Sequence, residues 1–272
     1  MPAPVSGECV ILLHGLARTN GSMKKMATAL EQSGYVVINQ PYPSTRHPIE
    51  TLADTAIGQA LSRCPDGGRI HFVTHSMGGI LVRQYLSRQR ISGLGRVVML
   101  GPPNQGSQVV DTLGNMVGFK LVNGPAGLQL GTSETSVPNR LGPANFDVGI
   151  IAGTRSINLI LSTMLPKPND GKVSVANTRL DGMADHLSLP VTHPLMMNNA
   201  EVIAQTRHFL RHGMFDRAGT QSGQLMPSEG CLRRPSQARQ KPSGNHRKVG
   251  LRGSCGPWTR PPRLADTHVS GS

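Results

Sequence analysis

The chain has 272 residues, 37% of them hydrophobic and 3% aromatic, with a formal net charge of +13. That length holds one α/β domain with a substantial core or two small ones, and no run approaches the roughly 18 apolar residues that a membrane span requires. The charge is unevenly placed: residues 1–216 carry 18 Lys+Arg against 13 Asp+Glu and residues 217–272 carry 10 against 2, so the excess does not by itself imply a nucleic-acid partner.

In chain order, the N-terminus shows no secretory leader, and Val10 to Leu13 is a short apolar run that suits a strand buried on both faces, ending in His14-Gly15-Leu16. Ser22 is expected to cap a helix whose Met23, Met26, Ala27 and Leu30 recur at helical spacing, with Gly34 as its stop. A strand follows from Tyr35 to Ile38, and Pro48 opens a helix carrying Ile49, Leu52, Ala56, Ile57, Ala60 and Leu61. Ile70 to Val73 reads as a third strand. It turns within a few residues into a helix bearing Ile80, Leu81, Tyr85 and Leu86, with Ser76 at the bend and Gly78 and Gly79 beyond it. A fourth strand is expected from Val97 to Leu100. Strand and helix alternating in this way predict a mostly parallel sheet with helices on both faces.

From Gly101 to about Asp147 the periodicity fails and Gly, Pro and Asn accumulate, which predicts an irregular cap or lid. Its Met116, Val117, Phe119, Leu121, Val122, Leu128 and Leu130 are candidates for an acyl-binding groove or for packing against the body. Strands are expected again at Val148–Ala152 and His186–Val191, with a turn at Asn169-Asp170-Gly171 between them. Asn199 caps a last helix with Val202, Ile203, Thr206, Phe209 and Leu210 on one face, closed by Gly213. The folded domain is expected to end at 216; the basic Arg, Ser, Gly and Pro-rich tail 217–272 lacks the pattern to fold. Cys9, Cys64, Cys231 and Cys255 show no metal-ligand spacing and are expected as free thiols, consistent with a cytoplasmic, reducing compartment.

A strand that turns abruptly into a helix at a serine flanked by small residues is the arrangement of a nucleophile elbow. Serine needs a base, and the base an orienting acid. Asp170 and His193 follow later strands, and Ser, Asp, His is the chain order this architecture uses. His186, preceded by Asp185, is an alternative base; Asp147 precedes its strand and falls at the wrong edge. His75 is expected to bond locally and His14 to support the first loop. His208 and His212, four apart on the last helix, have no third metal ligand nearby.

On Leu13-His14-Gly15-Leu16, Thr74-His75-Ser76-Met77-Gly78-Gly79, Asn169-Asp170-Gly171-Lys172-Val173 and the His193 loop, the chain resembles the α/β-hydrolase superfamily in its bacterial lipase and esterase branch. The resemblance spans roughly residues 8 to 213, and Thr74 stands where the elbow usually has its first glycine. It implies Ser76 as nucleophile, His193 as base, Asp170 as orienting acid and the backbone N–H groups of Leu16 and Met77 as oxyanion hole. It implies a small-molecule ester or lipid substrate, with transient contact at a lipid interface as one option; the mechanism needs no cofactor, no metal site is expected, and the composition of the tail argues against a nucleic-acid partner. Acyl transfer to another acceptor, thioester cleavage and a non-catalytic binding role on the same fold are the alternatives.

Overall fold

In the computed structural model, residues 7–157 and 159–218 are described. Among them, six strands form one sheet: β1 (Cys9–Leu13), β2 (Val36–Gln40), β3 (Ile70–His75), β4 (Leu94–Leu100), β5 (Val148–Gly153) and β6 (Asp185–Leu189). All neighbours pair in parallel, in the order β2-β1-β3-β4-β5-β6. The chain therefore starts centrally, steps to one edge and then builds in the other direction. The crevice above the carboxyl ends of β1 and β3, where the direction reverses, is where open α/β sheets place ligands.

Alternation along the strands divides the core into two faces. Ile11, Leu13, Phe72 and Met99 pack with Ile49, Leu52, Ile57, Ile80 and Leu81 of α2 (Ile49–Leu61) and α3 (Met77–Leu86). On the other face Val10, Leu12, Val73, Val98 and Ile151 meet residues of α1 (Lys24–Glu31) and of the C-terminal helix Ala200–His212. That last helix starts as expected, with the Asn199 side chain accepting from Glu201 and Val202 N–H. Gly213, at φ 75, ends it in the left-handed conformation that favours glycine.

Four local expectations are corrected. Ser22 does not cap α1: residues Asn20–Met23 form a 3₁₀ turn first, and the Ser22 hydroxyl donates back to the Thr19 carbonyl at 2.7 Å. The last strand stops at Leu189, short of Val191. The stretch 101–147 is not wholly irregular: between turns and loops it carries three short helices, α4 (Gln108–Leu113), α5 (Val117–Leu128, broken at Gly124-Pro125) and α6 (Val137–Arg140). Helical periodicity is hidden there because the pieces are short and interrupted, and tertiary contacts hold them. Buried Arg83 of α3 donates to the carbonyls of Asn104 (3.0 Å), Pro138 (2.9 Å) and Gly142 (2.8 Å), and Ala126, Leu130 and Val137 join the core. Three further helices complete the order: α7 (Leu159–Thr163), α8 (Val175–Thr178) and the C-terminal helix, α9.

The fourth correction concerns the cysteines. Cys9 and Cys64 are joined in a disulfide across 55 residues, because α2 returns the chain over β1 and brings the two Cα atoms to 5.7 Å. The bond removes the free thiols on which a reducing compartment rests, since disulfides persist mainly in oxidising environments; Cys231 and Cys255 lie outside the described residues. Closing a loop of this length restricts the unfolded chain by about 4 kcal/mol in the chain-entropy account. Cys64→Ser is thus expected to lower the melting temperature by several degrees in non-reducing buffer, and dithiothreitol to have the same effect on the parent. Superimposable melting curves would refute a stabilising bond. Among the described residues, no helix is long and apolar enough to cross a membrane. Of the tail 217–272, only Arg217 and Ala218 are described; the Arg217 guanidinium donates to both oxygens of Asp185, at 2.9 and 2.6 Å.

Candidate active site

Strand β3 ends at His75 and α3 begins at Met77, so a single residue makes the turn. Ser76 adopts φ 53 and ψ −122, outside the regions that non-glycine residues favour. Such a conformation costs on the order of 1–3 kcal/mol and persists only where the surroundings impose it. Here the Ser76 N–H is tied to the Leu100 carbonyl at 2.8 Å and α3 presses against the end of β1. A Cβ on Gly78 would lie 2.6 Å from the Leu13 carbonyl oxygen, and one on Gly15 would lie 3.2 Å from the Ser76 Cβ. Thr74 is fully buried, in register with Leu13 and Met99. The close approach of helix to strand is carried by Gly78 and Gly79, so the turn forms with threonine at position 74.

Two loops from the far side of the sheet meet beside this turn. Between β5 and β6 the chain folds a tight loop closed by the Asn169–Ser174 bridge. Within it, Asp170 Oδ1 accepts the N–H groups of Lys172 (2.9 Å) and Val173 (2.8 Å). This leaves Oδ2 to accept from His193 Nδ1 at 2.7 Å, with both side chains almost wholly buried. The His193 backbone is held at both ends: its N–H donates to the Asp170 carbonyl at 3.1 Å, and its carbonyl accepts from His75 Nε2 at 3.0 Å. Burial, and then the neighbouring His193, hold the His75 imidazole well below the usual histidine value. His75 is therefore neutral, with its proton on the nitrogen that faces the carbonyl. Gly101, just past β4, lies beneath the pair: a Cβ there would come within 3.0 Å of Asp170 Oδ2 and 3.1 Å of His193 Nδ1.

The loop after β1 forms the third wall. The His14 ring stacks on Tyr42, with centroids 4.0 Å apart and planes 13° from parallel, and the Tyr42 hydroxyl donates to the His14 carbonyl. His14 Nδ1 donates to the Gly15 carbonyl at 2.9 Å, and burial lowers the pKa of the ring. Leu16 follows at the pocket edge. Ser76, His75 and His193 line a narrow pocket of about 70 Å³, together with Leu16, Arg18, Val109, Val110, Phe119, Leu130 and Lys172 among others. A larger depression of about 540 Å³ lies among Asp111, Gly131 and Arg140 and does not reach Ser76. Of the apolar residues of the insertion named as candidates, Phe119 and Leu130 line this pocket. Met116, Leu121 and Val122 are exposed to solvent instead.

The other candidates fall elsewhere. His186 lies at the start of β6, the opposite edge of a parallel sheet, where its Nε2 bonds the Thr178 hydroxyl at 2.9 Å and burial pushes its pKa down to about 4. Asp185 pairs with Arg217, and Asp147 with Arg96 at 3.0 Å. His208 Nδ1 bonds the Met214 carbonyl at 2.8 Å. Among the described residues, no three His, Cys, Asp or Glu side chains cluster in a way that would hold a metal ion.

No protein-family model matches the chain, and no curated protein matches it in sequence. Solved structures do. The mature lipase BlEst2 of Bacillus licheniformis superposes with a TM-score of 0.57 at 17% identity, over 78% of this chain and 93% of the lipase. The metagenomic carboxyl esterase MGS0156 gives 0.57 at 20% identity, over 70% of this chain and 66% of the esterase. A pyrethroid hydrolase, PytH, gives 0.50 at 13% identity, over 76% and 98%. The protein has the α/β-hydrolase fold.

Proposed function

We propose that this protein hydrolyses carboxylic esters through an acyl-enzyme intermediate, with Ser76 as nucleophile, His193 as general base and acid, and Asp170 as the group that orients it. The observation that carries the reading is the buried 2.7 Å bond between His193 Nδ1 and Asp170 Oδ2, in the pocket that also holds the strained Ser76. That bond places the His193 proton on Nδ1 and leaves Nε2 able to accept one. Ser76 Oγ attacks the ester carbonyl carbon while His193 Nε2 takes its proton. The carbonyl electrons move to oxygen, and the imidazolium is stabilised by Asp170. Collapse breaks the bond to the alkoxy group, which leaves as the alcohol with the proton from His193. Water, deprotonated by the same nitrogen, then releases the acid and restores Ser76.

The developing oxyanion needs donors. Met77, as the first residue of α3, has an N–H without an intrahelical partner, and Leu16 supplies a second from the loop after β1. Each such donor is typically worth about 10²- to 10³-fold in rate. In this reading residues 1–216 form the catalytic domain, 101–147 is the lid, and exposed Met116, Leu121 and Val122 suit transient contact with an ester-bearing interface. The lipase and esterase structures with the same fold support an ester substrate. The test is covalent: a fluorophosphonate should add one equivalent to the folded protein, on the peptide containing Ser76. An unlabelled protein, or a label confined to another residue, rejects the reading.

A further inference from the structure

Two cations stand in the wall of the Ser76 pocket, and the hydrolytic mechanism uses neither. Arg18 follows the Leu16 loop, Lys172 follows Asp170, and both line the pocket with Ser76 and His193. No aspartate or glutamate lines it with them. Among the described residues, neither cation forms an ion pair with a carboxylate. The nearby carboxylate, Asp170, is already committed to His193 and to two backbone N–H groups. The two are also close enough to act on common neighbours. Both side chains are exposed at the pocket mouth; desolvation by the surrounding protein, and then the charge of Arg18, hold the Lys172 ammonium below the usual lysine value, and both cations help to keep His75 uncharged. Like charges that share the wall of a partly apolar pocket repel each other, and an anion between them reduces that cost.

We propose that Arg18 and Lys172 form an anion-recognising rim, so that the preferred substrate is an acyl ester carrying a negative group, a carboxylate or a phosphate, close to the scissile bond. The inference rests on the ester-hydrolase reading of the same site. The narrow apolar part of the pocket, with Phe119, Val109 and Leu130, takes the hydrocarbon portion. The forked guanidinium suits either anion, and the ammonium adds a point charge beside it.

The experiment compares matched esters on the full chain: the hexanoyl ester of glycolate against propyl hexanoate for a carboxylate, and monoacylglycerol phosphate against monoacylglycerol for a phosphate. A charge-assisted contact to the substrate predicts a ratio of kcat/KM, anionic over neutral, of about tenfold or more for one of the two pairs. The pair that shows it identifies the anion. Arg18→Gln and Lys172→Gln are each expected to reduce that ratio, and the double variant to bring it to about one. Added salt should erode it in the parent but not in the double variant. A ratio near one in the parent for both pairs, or a preference that survives the double substitution, overturns the proposal.

If no ester is cleaved in a Ser76-dependent way, the hydrolase reading fails separately. Calorimetry with decanoate and with decyl phosphate then decides the rim. Binding that the double variant loses sustains it, and no binding, or binding that the variant keeps, overturns it.

Discussion

Replacing Ser76 by alanine is expected to lower kcat for ester cleavage about 10⁶-fold, the loss typical of removing the nucleophile from a serine triad. The substitution deletes one oxygen and no described hydrogen bond of the fold, since the Ser76 contact that supports the turn is made by its backbone N–H to Leu100. The melting temperature should therefore stay near that of the parent. The residual rate should still exceed that in water, because substrate binding and the N–H donors of Leu16 and Met77 are untouched. Ester hydrolysis by purified protein, read together with a melting curve, checks both halves. Equal turnover by variant and parent would remove Ser76 from the mechanism.

The second large effect is expected at Asp170. In Asp170→Asn the side-chain oxygen keeps the two backbone donors of Lys172 and Val173, both of which face Oδ1 in the parent. The new amide NH₂ then occupies the place of Oδ2, opposite His193 Nδ1 at a distance of 2.7 Å. Two donors cannot share that contact. His193 must present a bare Nδ1 and carry its proton on Nε2, where it can no longer accept the proton of Ser76. A loss of about 10⁴-fold in kcat is expected from this tautomer change, with the fold kept by the same hydrogen bonds. NMR of the imidazole nitrogens should show the proton moved from Nδ1 to Nε2. Full activity, or an unchanged tautomer, would contradict the role given to Asp170.

The strands, α2 and the C-terminal helix were legible because each carries a local pattern: continuous apolar runs for buried parallel strands, and helical spacing with a proline start or an asparagine cap. The insertion was not, because α4 to α6 are held by contacts from elsewhere, above all the Arg83 guanidinium reaching the carbonyls of Asn104, Pro138 and Gly142. His75 illustrates the same limit at the site. Its place beside Ser76 suggests only a local bond, whereas its partner is the carbonyl of His193, 118 residues away. Arg18 and Lys172 belong to separate loops, and no spacing links them.

By itself, then, the sequence determines the alternation of strand and helix, the turn at Ser76, and the order in which serine, aspartate and histidine follow their strands. These are properties of neighbouring residues, which backbone sterics and hydrophobic periodicity express locally. The tertiary structure alone decides which groups meet. The parallel register brings the ends of β1, β3, β4, β5 and β6 to one edge, so that Asp170 binds His193, His75 clamps its backbone and Gly101 leaves room beneath the pair. The same packing joins Cys9 to Cys64 and sets Arg18 and Lys172, which form no ion pair among the described residues, in one pocket with the serine. Burial and charge, which give those groups their chemistry, arise only once distant segments are packed against one another.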